Sequence, residues 1–369
     1  MIRSPLSTLA TVIAVAGALA CSDSSPTGPP PVPSAIELVA VNSTGQTLSF
    51  FTLTDTLAPA AAALDLGASF DGVSADVSGD LAATSVSSFG GSRVLAVDLS
   101  RRSIRTILFP APEADLANPG KATLEENGTI WVGGRASDAV YRIDPGAVEA
   151  TRVASSVGTF VERILPVGAE LFVVDANIDD DGLTFQPLGP ARVVVLSRAG
   201  APAALIALPT GSVNAQDAVL AGGRIVVLAA GSFDPTTFAP NDDGTLVLLD
   251  PGARAVVATL GLGANGLAVK AGEDGLVYVT TTSDFAMTSV LRVDPVGGRF
   301  VDGPATPLDL RDASGAAVNC WVATATSDGR LLCATFRTDR SGDLLLFSAG
   351  GAFLSSVPSG FGTTDIAFR

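Results

Sequence analysis

The chain has 369 residues and carries 22 Lys and Arg residues against 37 Asp and Glu residues, a formal net charge of −15. Binding to phosphate groups needs clustered basic side chains, so this charge argues against a nucleic-acid-binding protein. The chain contains no histidine, which excludes His-ligated zinc, Ser-His-Asp and Cys-His nucleophile systems and histidine general bases.

The N-terminal segment predicts a signal peptide over residues 1–20. A short basic start, Met1-Ile2-Arg3, precedes apolar or small residues without charge at 6–20, a stretch too short to span a bilayer comfortably. Cleavage would fall within Ala18-Leu19-Ala20-Cys21, which resembles the bacterial lipobox. That resemblance implies that Cys21 becomes the lipid-modified N-terminus. An ordinary signal peptide cut nearby, with Cys21 as a free thiol, is the alternative.

Residues 21–34 predict a tether between the lipid and the folded body. The segment after Cys21 is rich in Ser and contains five prolines, and proline-rich linkers extend by about 3.1 Å per residue. Ser22 stands where an Asp would resemble an inner-membrane retention signal. We therefore expect a bacterial cell-envelope lipoprotein at the outer membrane or cell surface, with the periplasmic face as the alternative location.

The body at 35–369 repeats one pattern of strands. One apolar run recurs seven times, as LSFFT at 48, VLAVD at 94, VYRID at 140, VVVLS at 193, LVLLD at 246, VLRVD at 290 and LLLFS at 344. Runs rich in Val, Ile and Leu between Gly and Asp turns are typical of strands. A period of about 40 to 50 residues with four strands per unit indicates the blades of a β-propeller.

One unit of the repeat, NGLAV…EDGLVYVTTTSD…SVLRVDP, resembles the YVTN or NHL type of propeller repeat. The resemblance covers nearly all of residues 35–369 and implies a propeller fold. Such repeats occur in binding scaffolds, cell-surface proteins and some enzymes, so the resemblance implies no particular activity.

The two chain ends predict how the ring closes. Seven inner strands begin near residues 71, 120, 162, 216, 266, 320 and 364, and the last one reaches the C-terminus without partners. Three further strands occur at 35–41, 48–53 and 60–66. We therefore predict an all-β, seven-bladed propeller of four-stranded antiparallel blades, a single domain whose last blade combines N- and C-terminal strands and leaves no open edge. Six or eight blades are the alternatives.

Two cysteines lie in neighbouring predicted strands. Cys320 and Cys333 flank the turn at Ser327-Asp328-Gly329, and an exported protein can form disulfides. We predict a disulfide across this hairpin, with two buried thiols as the alternative.

Polar residues open the inner strands and predict a ring around the axis. In this strand order they share one face with the long loops at 175–191, 231–244 and 281–289. We expect a protein or small-molecule ligand at this face, or else polar groups that simply bond water and neighbouring loops. The ring consists of Asp71, Asn118, Glu162, Arg163, Asp217, Asn265, Asn319 and Asp365, with Lys121 and Asn214 beside them.

One acidic loop resembles the first half of an EF-hand. Asn177, Asp179 and Asp181 alternate before Gly182, a spacing that turns oxygen ligands toward one calcium ion. The bidentate Glu expected at the twelfth position is replaced by Leu188. A calcium site completed by other oxygens and a solvated acidic turn both remain open.

These features favour a binding or assembly scaffold over an enzyme. We expect a monomer, anchored to the membrane by its N-terminal lipid, without nucleic acid and with no assigned cofactor except calcium as a candidate. The alternative is a metal-dependent hydrolase that resembles propeller lactonases. In that case Glu162, Asp217, Asn265 and Asp365 would surround a hard cation on the axis.

Overall fold

The computed structural model describes residues 35–67, 72–87, 92–111, 118–179 and 186–369. In these ranges it contains 28 β-strands and no helix, so none of these residues belongs to a helix that could cross a membrane. The strands form seven four-stranded sheets.

The first three blades follow the chain from the inner strand outward. Blade 1 is β4 (Gly72–Ser78), β5 (Leu81–Val86), β6 (Arg93–Asp98) and β7 (Ser103–Leu108). Blade 2 is β8 (Thr123–Leu124), β9 (Ile130–Gly134), β10 (Ala139–Ile143) and β11 (Thr151–Ala154). Blade 3 is β12 (Val161–Val167), β13 (Glu170–Asp175), β14 (Arg192–Ser197) and β15 (Pro202–Ala207).

The next three blades keep the same order. Blade 4 is β16 (Ala215–Ala221), β17 (Arg224–Ala229), β18 (Thr245–Asp250) and β19 (Ala255–Gly261). Blade 5 is β20 (Asn265–Ala271), β21 (Val277–Thr282), β22 (Thr288–Asp294) and β23 (Arg299–Asp302). Blade 6 is β24 (Val322–Ala325), β25 (Leu331–Ala334), β26 (Gly342–Phe347) and β27 (Phe353–Gly360).

Blade 7 closes the ring with both ends of the chain. It consists of β28 (Thr363–Phe368), β1 (Ile36–Asn42), β2 (Thr47–Leu53) and β3 (Leu57–Asp65), in that spatial order. The C-terminal β28 runs antiparallel to β1, with Val39 opposite Ala367. The predicted seven-bladed propeller is therefore confirmed, and the closing strands pair as expected.

The recurring apolar runs are buried on both faces because each blade packs between two others. In β18, Leu246 and Leu248 belong to a core shared with blade 5, whereas Val247 and Leu249 belong to a core shared with blade 3. A strand covered on both sides reads as a continuous apolar run rather than as alternation. This packing explains why the third strand of each unit was the clearest signal in the sequence.

Several inner strands carry a β-bulge near their start. The register shifts between Val161 and Arg163, between Ala215 and Asp217, and opposite β28 between Val41 and Asn42. Bulges redirect side chains next to the extra residue. They occur where Arg163, Asp217 and Asp365 lie near the axis.

The two ends of the propeller differ in their connections. The loops into the inner strands and the loops between second and third strands lie at one end, here termed the loop face. The hairpin turns that follow the inner strands lie at the other end, the turn face.

The two body cysteines form a disulfide in the core of blade 6. Cys320 and Cys333 are bonded, with their Cα atoms 5.4 Å apart, and both side chains are fully buried. The bond joins Cys320, two residues before β24, to Cys333 in the neighbouring strand β25.

Candidate functional site

Three ion pairs link inner strands across the axis, and each skips one blade. Lys121 of blade 2 pairs with Asp217 of blade 4 at 2.5 Å. Arg163 of blade 3 lies 3.5 Å from Asp76 of blade 1, and Lys270 of blade 5 lies 2.8 Å from Asp365 of blade 7. Three positive and three negative side chains therefore balance on the axis. We call these six residues the axial ion pairs.

A close contact between blades 2 and 3 places Lys121 in this network. The Lys121 N–H donates to the carbonyl of Glu162 at 2.7 Å, so the two inner strands touch directly. The preceding Gly120 permits this approach, because a Cβ there would lie 2.4 Å from the same carbonyl oxygen.

Asp217 is a buried carboxylate that lies near two cations, Lys121 and Arg163. Its burial disfavours the charged form, but Lys121 and then Arg163 outweigh that effect and lower its pKa. Asp217 therefore remains ionised at neutral pH, with its charge neutralised by two neighbours.

Glu162 pairs with Arg135, which follows β9, and not with one of the axial ion pairs. Its carboxylate accepts from Arg135 at 2.7 Å, and Arg135 also lies over the ring of Phe160, 5.5 Å from its centroid. Burial nevertheless raises the pKa of Glu162, and Arg135 only partly opposes the shift. Glu162 is thus a buried carboxyl group that holds a proton more tightly than in water.

The asparagines of the predicted ring support neighbouring loops. Asn265 donates to the carbonyl of Ser232 at 2.8 Å, and Asn319 accepts from the backbone of Thr288 at 3.2 Å. Asn214 donates to the carbonyl of Gly231 at 3.2 Å, while Asn118 accepts from the Ser87 hydroxyl. The ring therefore divides into charged residues near the axis and amides that hold loops. Asp71 lies outside the described residues.

The loop that resembles an EF-hand is held by protein contacts. Asn177 donates to the carbonyl of Pro190 at 2.9 Å, and the Asp179 N–H donates to the carbonyl of Gln186 at 2.9 Å. Asp181 lies outside the described residues. Among the residues that the structure describes, no three His, Cys, Asp or Glu side chains are grouped so that they could hold a metal ion.

The loop face also carries exposed apolar side chains on blades 4 and 5. Phe233 stacks on Phe285, with ring centroids 6.0 Å apart and planes 13° apart. Phe238, Phe285 and Met287 are 62%, 49% and 53% exposed. We call these four residues the aromatic patch.

An axial cavity of about 850 Å³ opens at the turn face, opposite the aromatic patch. All seven blades contribute to its wall. Asp76, Arg163 and Lys270 line it. Asp365, the partner of Lys270, is more deeply buried than the lysine. Of the predicted ring residues that the structure describes, Arg163 alone contributes to this wall.

Asp76, Arg135 and Lys270 were not among the predicted site residues. The predicted residues lie at the start of each inner strand, whereas Asp76 and Lys270 lie near the strand ends and Arg135 follows β9. A single charged residue within an otherwise apolar strand, as in NGLAVKA, was the available signal for Lys270.

Sequence comparison identifies no family: no protein-family model matches the chain, and no curated protein is significantly similar to it. Solved structures do resemble its fold. A catalytically inactive histidine-to-alanine variant of virginiamycin B lyase from Staphylococcus aureus, with quinupristin, is 10% identical and has a TM-score of 0.56. The similarity covers 90% of this chain and 96% of that one.

Two other structures show the same likeness. A dihydro-heme d1 dehydrogenase is 12% identical, with a TM-score of 0.53 over 90% of this chain and 74% of that one. A chain of a nidogen–laminin complex is 16% identical, with a TM-score of 0.50 over 73% of this chain and 92% of that one. At such low identities these similarities establish the β-propeller fold alone.

Proposed function

We propose that this chain is a lipid-anchored, extracytoplasmic β-propeller of the bacterial cell envelope that binds a protein partner through its loop face. The observation that carries the proposal is the aromatic patch. Large apolar side chains grouped on the surface are typical of interaction sites in soluble proteins.

The backbone conformation of the aromatic patch is evidence that its rings are exposed for a function. Phe238 and Phe285 adopt positive φ angles of 57° and 59°, a conformation that is a genuine outlier for bulky residues. Such conformations cost roughly 1 to 3 kcal/mol each and cluster at functional sites. Both residues place an aromatic ring in solvent at this cost.

The charge around the patch indicates the chemistry of the partner. Residues 231–244 and 281–289 contain four Asp residues and no Lys or Arg. Backbone N–H groups of Thr237 and Met287 lower the pKa of Asp234 and Asp284, respectively, so both are ionised at neutral pH. The complementary partner presents apolar side chains flanked by Lys or Arg.

The structure argues against the calcium-dependent hydrolase. Its three carboxylates already face separate cations, because Asp217 pairs with Lys121, Asp365 with Lys270 and Glu162 with Arg135. A site for a hard cation needs carboxylate oxygens converging on one point without competing positive side chains. The reaction of the lyase neighbour is not proposed for this chain either. Replacing one histidine inactivates that enzyme, and this chain contains no histidine.

The partner-binding proposal is tested by co-purification from cell-envelope extracts with the full-length chain. We expect the wild type to retain a protein with a basic, apolar segment, and the Phe238→Ser/Phe285→Ser variant to lose it. The matched control is Val296→Ser, since Val296 is 71% exposed but lies at the turn face. If the Phe238→Ser/Phe285→Ser variant retains the partner as well as the Val296→Ser control does, the aromatic patch is not the binding surface.

The lipid anchor is tested separately by Cys21→Ser. We expect this substitution to abolish incorporation of labelled palmitate and to release the chain from the membrane fraction. A Cys21→Ser chain that still carries label would contradict the proposed anchor without affecting the aromatic patch.

A further inference from the structure

The axial cavity at the turn face has the dimensions of a small-molecule site. Its volume of about 850 Å³ lies within the range of roughly 300 to 1,000 Å³ that ligand pockets occupy. It is independent of the aromatic patch, which lies at the opposite end of the propeller.

The charges at the inner end of the cavity cancel. Lys270 and Arg163 face Asp365 and Asp76, respectively, and Lys121 faces Asp217. These paired charges would attract neither a cationic nor an anionic ligand. The wall near the axial ion pairs therefore offers hydrogen bonds but selects no ionic ligand.

The mouth of the cavity has an unbalanced negative charge. Of the three glutamates that line the cavity, Glu125 is neutralised by Arg198 at 2.7 Å and accepts from the Trp131 indole at 2.6 Å. Glu126 and Glu273 are exposed, and within the described part of the chain no cation pairs with either. These two turn residues from blades 2 and 5 give the mouth a charge of about −2, which the low-dielectric walls focus.

Apolar side chains lie beside these carboxylates. Leu220, at the end of β16, is 45% exposed and lines the cavity with Leu165 and Phe368. Acidic groups next to an apolar wall suit a ligand with a cationic head and an aliphatic body, since the head pairs with a carboxylate while the body leaves water.

We propose that the axial cavity binds aliphatic amines, with each ammonium group pairing with Glu126 or Glu273 and the methylene chain against Leu220 and Phe368. The sequence gives no motif for this site, because its parts come from turns and strand ends of different blades. The site is separate from the loop face on which the proposed protein partner binds.

The test is calorimetric titration of the full-length chain with 1,5-diaminopentane, and with 1,5-pentanediol as an uncharged compound of the same chain length. We expect the diamine to bind, the diol not to bind, and the affinity for the diamine to fall between 50 and 500 mM NaCl because salt screens the glutamates. The Glu126→Gln/Glu273→Gln variant should lower the affinity at least tenfold.

The matched control is Glu149→Gln, an exposed glutamate outside the cavity lining, which should leave the affinity unchanged. Absence of diamine binding, equal binding of the diol, or equal affinity in the Glu126→Gln/Glu273→Gln variant would each overturn the proposal. None of these outcomes depends on the aromatic patch, so the two proposals fail independently.

Discussion

Replacing Asp217 by Asn should destabilise the propeller strongly, although the two side chains are nearly the same size. Asp217 is 7% exposed and accepts from Lys121 at 2.5 Å. Removing one member of a buried ion pair costs about 3 to 5 kcal/mol, because the remaining charge stays desolvated without its partner. The Lys121 side chain is 13% exposed and recovers some hydration, so we expect a loss of about 3 kcal/mol.

This loss converts into a measurable shift of the melting temperature. Unfolding entropy of about 2.1 cal/mol/K per residue gives roughly 0.7 kcal/mol/K for a propeller of about 335 residues. A loss of about 3 kcal/mol therefore lowers Tm by about 4 °C. Circular dichroism at a fixed scan rate measures this shift.

Further variants distinguish the loss of the Lys121–Asp217 ion pair from other effects of replacing Asp217. Lys121→Met alone should also destabilise, and the Lys121→Met/Asp217→Asn variant should lose about 1 to 2 kcal/mol less than the sum of the single changes. Asp309→Asn is the control, because Asp309 pairs with Arg311 in solvent and such pairs contribute less than about 1 kcal/mol. Asp217→Asn melting within 1 °C of the wild type, or strictly additive single changes, would refute the pairing across the axis.

The disulfide, the closing strand and the buried Glu162 can each be tested by a substitution or a deletion. Replacing Cys320 and Cys333 by Ala should cost about 3 kcal/mol for a loop of this length and lower Tm under non-reducing conditions; a Tm unaffected by both substitutions would contradict a stabilising bond. Deleting residues 363–369 removes the inner strand of blade 7 and should abolish cooperative unfolding, so a cooperative melt of the truncated chain would count against the closure. Because burial raises the folded-state pKa of Glu162, its contribution to stability is full below the unfolded pKa of about 4.3 and is lost as pH rises through the folded value. Glu162→Gln should flatten this part of a profile of Tm against pH, and an unchanged slope would assign the titration to another group.

The fold was predictable because each blade repeats the same burial. A third strand such as β18 is covered on both faces, so its apolar run recurs with the period of the blade. The closure was predictable for a related reason, since an inner strand at the C-terminus needs partners and the N-terminus supplies three strands. The assignment to the YVTN or NHL repeat type stays a prediction.

The axial ion pairs were only partly predictable. Asp217 and Asp365 were identified as axial residues, but their partners come from blades two positions away. Which blades exchange charges depends on how far Lys121 and Lys270 reach across the ring, and sequence spacing does not encode that distance. The register shifts that place Arg163 and Asp217 are also local features without a sequence signature here.

The axial cavity was not predicted at all, because its mouth is built from short hairpin turns. Glu126 precedes Asn127-Gly128, and Glu273 precedes Asp274-Gly275, so both read as ordinary polar turn residues. The long loops of the opposite face are the stronger signal in the sequence. Only the arrangement of the blades around the axis brings these two glutamates to one opening.

The charge distribution explains why both proposed ligands are cationic. Lys and Arg pair with the carboxylates that lie on the axis, so the acidic excess of the chain remains at its surface. It includes the Asp residues beside the aromatic patch and Glu126 and Glu273 at the cavity mouth. A propeller with an unpaired carboxylate cluster on its axis would suit metal chemistry, but this one uses its axial carboxylates to join the blades. Recognition is therefore expected at the two faces of the propeller, and added salt should weaken binding at both.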